Sequence, residues 1–334
     1  MKIGIPQSLL YAYYFPFWKT YFEELGHEVV VTPMTTKGII DRGVKASVPE
    51  ICVPIKIYLG HVITLLEEVD YIFVPRFVSI RKGQFFCPKF MGLPDMVRYT
   101  FKGIEEKLIS PMIKTNSDNI GNTFSDYKFM EKMFGISSQK NIKALEKANE
   151  VWLRFREYSK KGYTITEAMK IVLDGYGESS FSTNSDSNSS VTIGLIGYVY
   201  NIYDSFISMD ILNRLREMGV KVKTFEMLEE DSLEKELQRM NNKTMFWTFS
   251  DKLLAAGYSF YNNPEVDGLI HVTAFGCGPD SMLGKLLDMD TVEYNKPFMT
   301  VRVDEHTGEN HLQTRIEAFI DMLKRRKMNM KRGA

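Results

Sequence analysis

Hydrophobic positions along the chain change their period several times, and each change marks an element. Residues 2–6 form a short apolar run that reads as a strand. Residues 9–25 carry an unusual load of aromatics: Tyr11, Tyr13, Tyr14, Phe15, Phe17, Trp18, Tyr21 and Phe22. That stretch reads as a helix, and Gly26 stands where a helix would end. Residues 27–32 have the β-branched character of a second strand. A short helix opens at Thr35-Thr36-Lys37 and runs to about Ala46. A further helix is predicted over 55–67, with Ile55, Tyr58, Leu59, Val62 and Leu66 at helical spacing. Residues 71–75 are continuously apolar, as buried parallel strands are. Residues 76–86 read as a loop or hairpin, and Gly92-Leu93-Pro94-Asp95 opens another helix. From 101 to 174 the pattern is helical. Within it, residues 141–161 are amphipathic, with Leu145, Val151, Trp152 and Phe155 on one stripe.

Residues 175–190 break this alternation with a Ser- and Asn-rich tract, the best linker in the chain. Beyond it the opening pattern returns. Ile193-Gly194-Leu195 matches Ile3-Gly4-Ile5, and Met218-Gly219-Val220-Lys221-Val222 resembles Leu25-Gly26-His27-Glu28-Val29. A strand is expected over 191–196, a helix over 205–218 and a strand over 220–225. Later come a strand over 268–273, a helix over 281–287, a strand over 298–303 and a closing helix over 313–324. Two β-α-β openings predict an α/β fold: two doubly wound (Rossmann- or flavodoxin-like) domains facing across a cleft, with a helical insertion between them. The expected boundaries are an N-terminal α/β domain at 1–113 carrying Cys52 and Cys87, a helical segment at 114–174, a polar linker at 175–190, and a C-terminal α/β domain at 191–334 carrying Cys277.

Composition narrows the function more than the fold. The 334 residues are 44% hydrophobic and 25% charged, ordinary for a globular protein. With 42 basic and 42 acidic side chains the net charge is zero, which argues against a nucleic-acid partner. No apolar run approaches the roughly 18 residues that span a bilayer, and the N-terminus lacks a signal peptide's layout. The expected location is therefore cytoplasmic, with no membrane partner. Three cysteines, an odd number, fit a reducing compartment better than a disulfide framework.

The three cysteines share a setting. Cys52 lies in Pro49-Glu50-Ile51-Cys52-Val53-Pro54, Cys87 in Phe86-Cys87-Pro88, and Cys277 in Gly276-Cys277-Gly278-Pro279-Asp280. Each stands at an element boundary beside proline or glycine, and none sits inside an apolar strand or on a helix stripe. Cys277 follows a buried strand, where open α/β sheets hold ligands. Zinc is one candidate, although the close-paired C-x2-C of structural zinc sites is missing. An iron–sulfur cluster is the other; a cubane held by three thiolates leaves one iron open. Lys56, Arg76 and Lys89 lie near these loops, where they would either offset thiolate charge or form solvated surface. Residues 278–285 resemble a P-loop but carry one residue too many and no Ser or Thr after the lysine. No G-x-G-x-x-G follows the first strand. The loop Asp304-Glu305-His306-Thr307-Gly308-Glu309 reads as hydrogen-bonding and capping the last helix; the alternative makes Glu305 and His306 catalytic candidates, as a proton donor or a partner to the cluster. His61 reads as a packed or surface histidine.

Taken together, Lys2-Ile3-Gly4-Ile5-Pro6 with its aromatic helix, Glu50-Ile51-Cys52-Val53-Pro54-Ile55-Lys56, Cys87-Pro88-Lys89 before Gly92-Leu93-Pro94-Asp95, Phe275-Gly276-Cys277-Gly278-Pro279-Asp280-Ser281 and the 304–309 loop resemble the 2-hydroxyacyl-CoA dehydratase family. The resemblance is strongest to the branch described as CoA-enzyme activase-related, or domain of unknown function 2229. It covers both halves and contributes little between 114 and 190. It implies a [4Fe-4S] cluster ligated by Cys52, Cys87 and Cys277. It also implies an ATP-dependent activase or reductase that delivers single electrons at very low potential, in anaerobic metabolism. The dehydratases use such an electron to form a ketyl radical from a 2-hydroxyacyl-CoA. An acyl-CoA or other small molecule is thus the expected substrate, and a dimer is admitted.

Overall fold

The computed structural model describes residues 1–181, 191–240, 244–304 and 309–332. Residues 182–190 of the polar tract, and Glu305 and His306, lie outside the described residues. The fold is mixed α/β with parallel sheets. Contacts divide the chain into two compact units. Met1–Glu157, Met169–Gly175 and Phe246–Thr248 form one; Tyr158–Ala168, Tyr176–Met245 and Phe249–Ala334 form the other. Among the described residues, no helix is long and apolar enough to cross a membrane.

The N-terminal chain runs β1 (Lys2–Ile5), α1 (Tyr11–Glu24), β2 (Glu28–Val31), α2 (Lys37–Lys45), α3 (Val53–Leu65), β3 (Tyr71–Phe73) and β4 (Arg76–Ser79). It continues through α4 (Pro88–Met91), α5 (Leu93–Thr100), β5 (Leu108–Ile109), β6 (Met112–Lys114), α6 (Phe129–Phe134), α7 (Ser138–Lys160) and α8 (Ile165–Leu173). The main sheet has the order β2-β1-β3-β5, all parallel. The aromatic face of α1 fills the core: Tyr13, Phe17, Tyr21 and Phe22 are fully buried, and Trp18 packs 4.4 Å from the Phe73 ring. α1 has no side-chain cap at its start, so tertiary packing supports it.

Two expectations fail here. Residues 76–86 are not a hairpin: β4 pairs parallel with β6, Arg76 opposite Met112. The stretch 101–174 is not helical throughout, because β5 and β6 interrupt it. The physical reason is a pair of prolines. Pro75 and Pro111 split what would be two longer strands, since proline cannot donate to the ladder. The ladder runs past the break through the Val74 amide to the Ile109 carbonyl at 2.8 Å and the Arg76 amide to the Pro111 carbonyl at 2.8 Å. Sheet segments of two to four residues leave no periodic signature.

The chain then runs β7 (Val191–Ile196), α9 (Val199–Tyr203), α10 (Ile211–Glu217), β8 (Val220–Thr224), α11 (Glu230–Arg239), α12 (Thr248–Asn262) and β9 (Gly268–Ala274). It ends α13 (Gly278–Met289), α14 (Thr291–Tyr294), β10 (Phe298–Val303) and α15 (Glu309–Arg332). The sheet order is β10-β9-β7-β8, all parallel. β7 and β9 are buried at every residue, as their largely apolar runs require. The helix expected over 205–218 starts only at Ile211, because Met209 and Asp210 adopt left-handed backbone at φ 49° and 55°.

Candidate functional site

All three cysteines occupy the same position in local structure. Cys52 caps α3, Cys87 caps α4 and Cys277 caps α13. Each has extended backbone, and each helix carries proline at its first or second position. That is where proline's fixed φ and missing N–H cost a helix least. Each cysteine carbonyl accepts a first-turn amide: Ile55 on Cys52 at 3.0 Å, Phe90 on Cys87 at 3.0 Å, Ser281 on Cys277 at 3.0 Å.

Different elements hold the loops. Ahead of Cys87, the Phe86 amide donates to the Val78 carbonyl at 2.9 Å, anchoring the turn to β4. Arg76 reaches the Met91 carbonyl at 2.5 Å and the Asp95 carboxylate at 2.8 Å, tying β4 to α4 and α5. The Arg76 hydrogen bond holds the Asp95 carboxyl below the usual range. Arg76 is thus engaged by Asp95, while Lys89 neighbours Cys87 and Lys56 is buried on α3. Beneath α3, Gly43 and Gly60 let α2 cross at contact distance. A Cβ on Gly43 would stand 1.8 Å from the Lys56 carbonyl oxygen, and one on Gly60 2.1 Å from that of Ile39.

The N-terminal unit brings Cys52 and Cys87 together. Burial pushes the Cys87 thiol up, and the neighbouring Cys52 adds to that, while the Phe90 and Lys89 amides and the Lys89 ammonium oppose it. Cys52 itself is buried and Cys87 half-buried, with no disulfide between them. Among the described residues, no group of three or more His, Cys, Asp and Glu side chains stands close enough to hold a metal ion. Cys277 belongs to the other unit.

The Cys277 loop has a support that sequence reasoning missed. Phe275 joins β10 through its amide to the Val303 carbonyl at 2.8 Å, and Gly276 takes left-handed backbone at φ 77°. Three residues into the helix, Asp280 is fully buried. Its carboxylate meets His271 Nε2 at 2.8 Å, and Asn201 Nδ2 donates to it at 3.4 Å. His271 lies inside β9 and is also fully buried; Gly284 makes room for its ring, because a Cβ there would stand 2.5 Å from Nδ1. The only sequence signal was a histidine inside an otherwise apolar strand.

His61, on α3 beyond Cys52, is packed and fully buried. The Gln7 amide donates to Thr32 Oγ1 at 2.9 Å, so the Thr32 hydroxyl is placed to donate to His61 Nδ1 at 2.7 Å. Nε2 then carries the proton and donates to Thr35 Oγ1 at 2.9 Å. Burial, and secondarily the Arg42 charge, lowers the imidazole to a pKa of about 4.

Residues 2–228 match the profile of the CoA enzyme activase uncharacterised domain (DUF2229). The chain belongs to that family. The match covers more than half of the chain, includes Cys52 and Cys87, and ends before Cys277. No curated protein sequence matches. Among solved structures, a mutant of FpvC from Pseudomonas aeruginosa is similar at 12% identity, over 98% of this chain and 100% of that one, with a TM-score of 0.27. The substrate-binding protein FpvC of that organism in complex with Mn2+ is similar at 10% identity, over 99% of each chain, also at 0.27. At that TM-score the likeness carries no argument.

Proposed function

We propose that this family member is a redox protein in which Cys52, Cys87 and Cys277 ligate one [4Fe-4S] cluster charged with low-potential electrons by an ATP-dependent activase. The observation that carries the reading is the threefold recurrence of one local build, an extended cysteine capping a helix that opens with proline. Two of these thiols are neighbours in the N-terminal unit. Soft thiolates are the donors such clusters take. The third ligand comes from the C-terminal unit, so the reading places the two α/β units, each doubly wound, across a cleft that the cluster bridges.

A bound cluster supplies one-electron chemistry. Held by three cysteines, such a cluster would keep one iron without a thiolate, where a small substrate, an acyl-CoA among them, would bind. The residues here do the holding. α3 and α4 present Cys52 and Cys87, and the Asp280–His271 pair fixes the turn that presents Cys277. Glu305 and His306 are proposed as proton donor or cluster partner. The site is proposed for a cytoplasmic, anaerobic setting.

The test is anaerobic purification with iron, sulfide and zinc analysis. The reading expects about four irons and four sulfides per cluster, with a reducible signal that an activase and ATP develop. Stoichiometric zinc without sulfide would show a zinc-stabilised scaffold instead. A cluster that transfers intact to an acceptor protein, with no response to the activase, would show a carrier.

A further inference from the structure

Strand order in the N-terminal unit sets a second location apart. In the order β2-β1-β3-β5 the chain leaves β1 toward β2 and leaves β3 toward β5, so the connections from these two neighbouring strands run in opposite directions. Crevices at the carboxyl ends of such strands are where α/β sheets receive ligands. A cavity of about 40 Å³ lies there, walled by Ile5, Leu9, Trp18, Tyr58, Phe73 and Phe90. No charged side chain lines it. Phe90 follows Cys87 within α4, and Tyr58 lies on α3 beyond Cys52, so the cavity borders both cysteine helices.

The backbone beside it is strained. Leu9 is a buried non-glycine residue in the left-handed region, at φ 54°. Tight turns hold it there: the Ser8 amide donates to the Pro6 carbonyl at 2.8 Å, and the Tyr11 amide to the Ser8 carbonyl at 3.1 Å. Bulky residues hold such a conformation only where the surroundings impose it, and ligand sites are where that strain collects.

We propose that this cavity receives one end of a small neutral organic molecule, an aliphatic group of about three or four carbon atoms. The class follows from the walls. A site with no charge and mostly hydrocarbon or aromatic lining favours a neutral apolar group. The size follows from the volume, since one water-sized occupant needs roughly 10–15 Å³ measured in the same way. The site stands independently of the cysteine reading, because nothing in it requires a cluster.

The experiment titrates the full chain with n-alkanols from ethanol to octanol, following tryptophan fluorescence and thermal unfolding. One saturable site is expected, with affinity rising about fourfold per methylene up to butanol and then levelling. Ser8→Val, at the cavity wall, should weaken butanol binding at least about tenfold, a loss of the size that filling the space for two methylenes gives. Ser8→Ala should leave binding intact, and Leu93→Phe fills the same space from another wall should Ser8→Val not fold. Absence of saturable binding overturns the proposal. So does an affinity that climbs through octanol and ignores both filling variants, since that is adhesion to general apolar surface. Iron analysis on the same samples separates the two readings: alcohol binding lost with iron retained strikes only the cavity, and the reverse strikes only the cluster.

Discussion

The N-terminal and C-terminal sheets repeat one plan and finish it differently. Counted along the chain, both have the order second, first, third, fourth: β2-β1-β3-β5 and β8-β7-β9-β10. Both set a glycine at the middle of the first strand, Gly4 and Gly194, under a bulky residue of the helix that leads to the third strand. After the third strand they diverge. In the C-terminal sheet, β9 passes directly into the Gly276-Cys277 turn, with Asp280 and His271 buried beneath it. In the N-terminal sheet, the chain crosses Pro75, adds β4, and only then reaches Cys87, with aromatic side chains around the turn. A shared topology thus carries a cysteine loop in each unit, but the loop's support differs: aromatic rings and a part-exposed Arg76–Asp95 pair in one unit, a fully buried Asp280–His271 pair in the other.

The largest expected effect asks whether the two kinds of support serve one site. Replacing any of Cys52, Cys87 or Cys277 by serine should remove most bound iron and sulfide from anaerobically purified protein. Retention of full iron and sulfide by Cys277→Ser would separate the two units functionally. Next comes the buried pair itself. Asp280→Ala leaves the His271 and Asn201 donors facing a cavity without their shared acceptor, and orphaning a buried donor costs roughly 1–3 kcal/mol, to which the cavity adds. Chemical unfolding of the apo chain checks this, with Asp280→Asn expected to cost less because it retains an acceptor. An Asp280→Ala loss under about 1 kcal/mol would mean the pair contributes little beyond packing.

The N-terminal unit has its own buried histidine, and it predicts a pH dependence of definite sign. In the unfolded chain His61 titrates near 6.5, but in the fold it is lowered to about 4. The unfolded state therefore binds the proton first as pH falls. His61's contribution is fully present above about pH 6.5 and is lost as pH drops through 6.5 towards 4, by about 3 kcal/mol in all. His61→Gln should flatten that part of the stability profile. An unchanged slope between pH 6.5 and 4 in the variant would place the acid sensitivity elsewhere.

Much of this plan was legible in the chain. The strands over 191–196 and 298–303 fall where the apolar runs predict them, and the paired openings announce the repeated sheet. The cap position of each cysteine was readable from the proline or glycine beside it. Legibility fails where order is short or non-local. β4, β5 and β6 are cut by Pro75 and Pro111 below the length at which periodicity shows. The late start of α10 depends on left-handed Met209 and Asp210, neither of them glycine. The Asn201–Asp280 contact joins residues 79 positions apart, and no local pattern reports that Asp280 turns inward rather than capping its own helix. The bond between Thr32 and His61 is likewise a product of the fold.

The smallest predicted effect tests the shared glycine. A Cβ on Gly4 would stand 3.0 Å from a Leu65 methyl and from Val69, both tips of flexible side chains. A Cβ on Gly194 would stand 2.6 and 2.8 Å from the Phe260 ring and 3.0 Å from its Cβ. The first neighbours can rotate by a few tenths of an ångström. The second is a rigid ring, fully buried on α12, and must move with its helix. Overpacking of this kind costs roughly 1–3 kcal/mol, while alanine in place of glycine within a strand returns about 0.5–1 kcal/mol of backbone entropy. Gly194→Ala should therefore destabilise the protein by about 1–2 kcal/mol, and Gly4→Ala should come out near zero. Thermal unfolding of the two variants side by side checks the ordering. A Gly4→Ala cost equal to that of Gly194→Ala would show that the N-terminal sheet, for all its aromatic packing, has no more freedom to adjust than its counterpart.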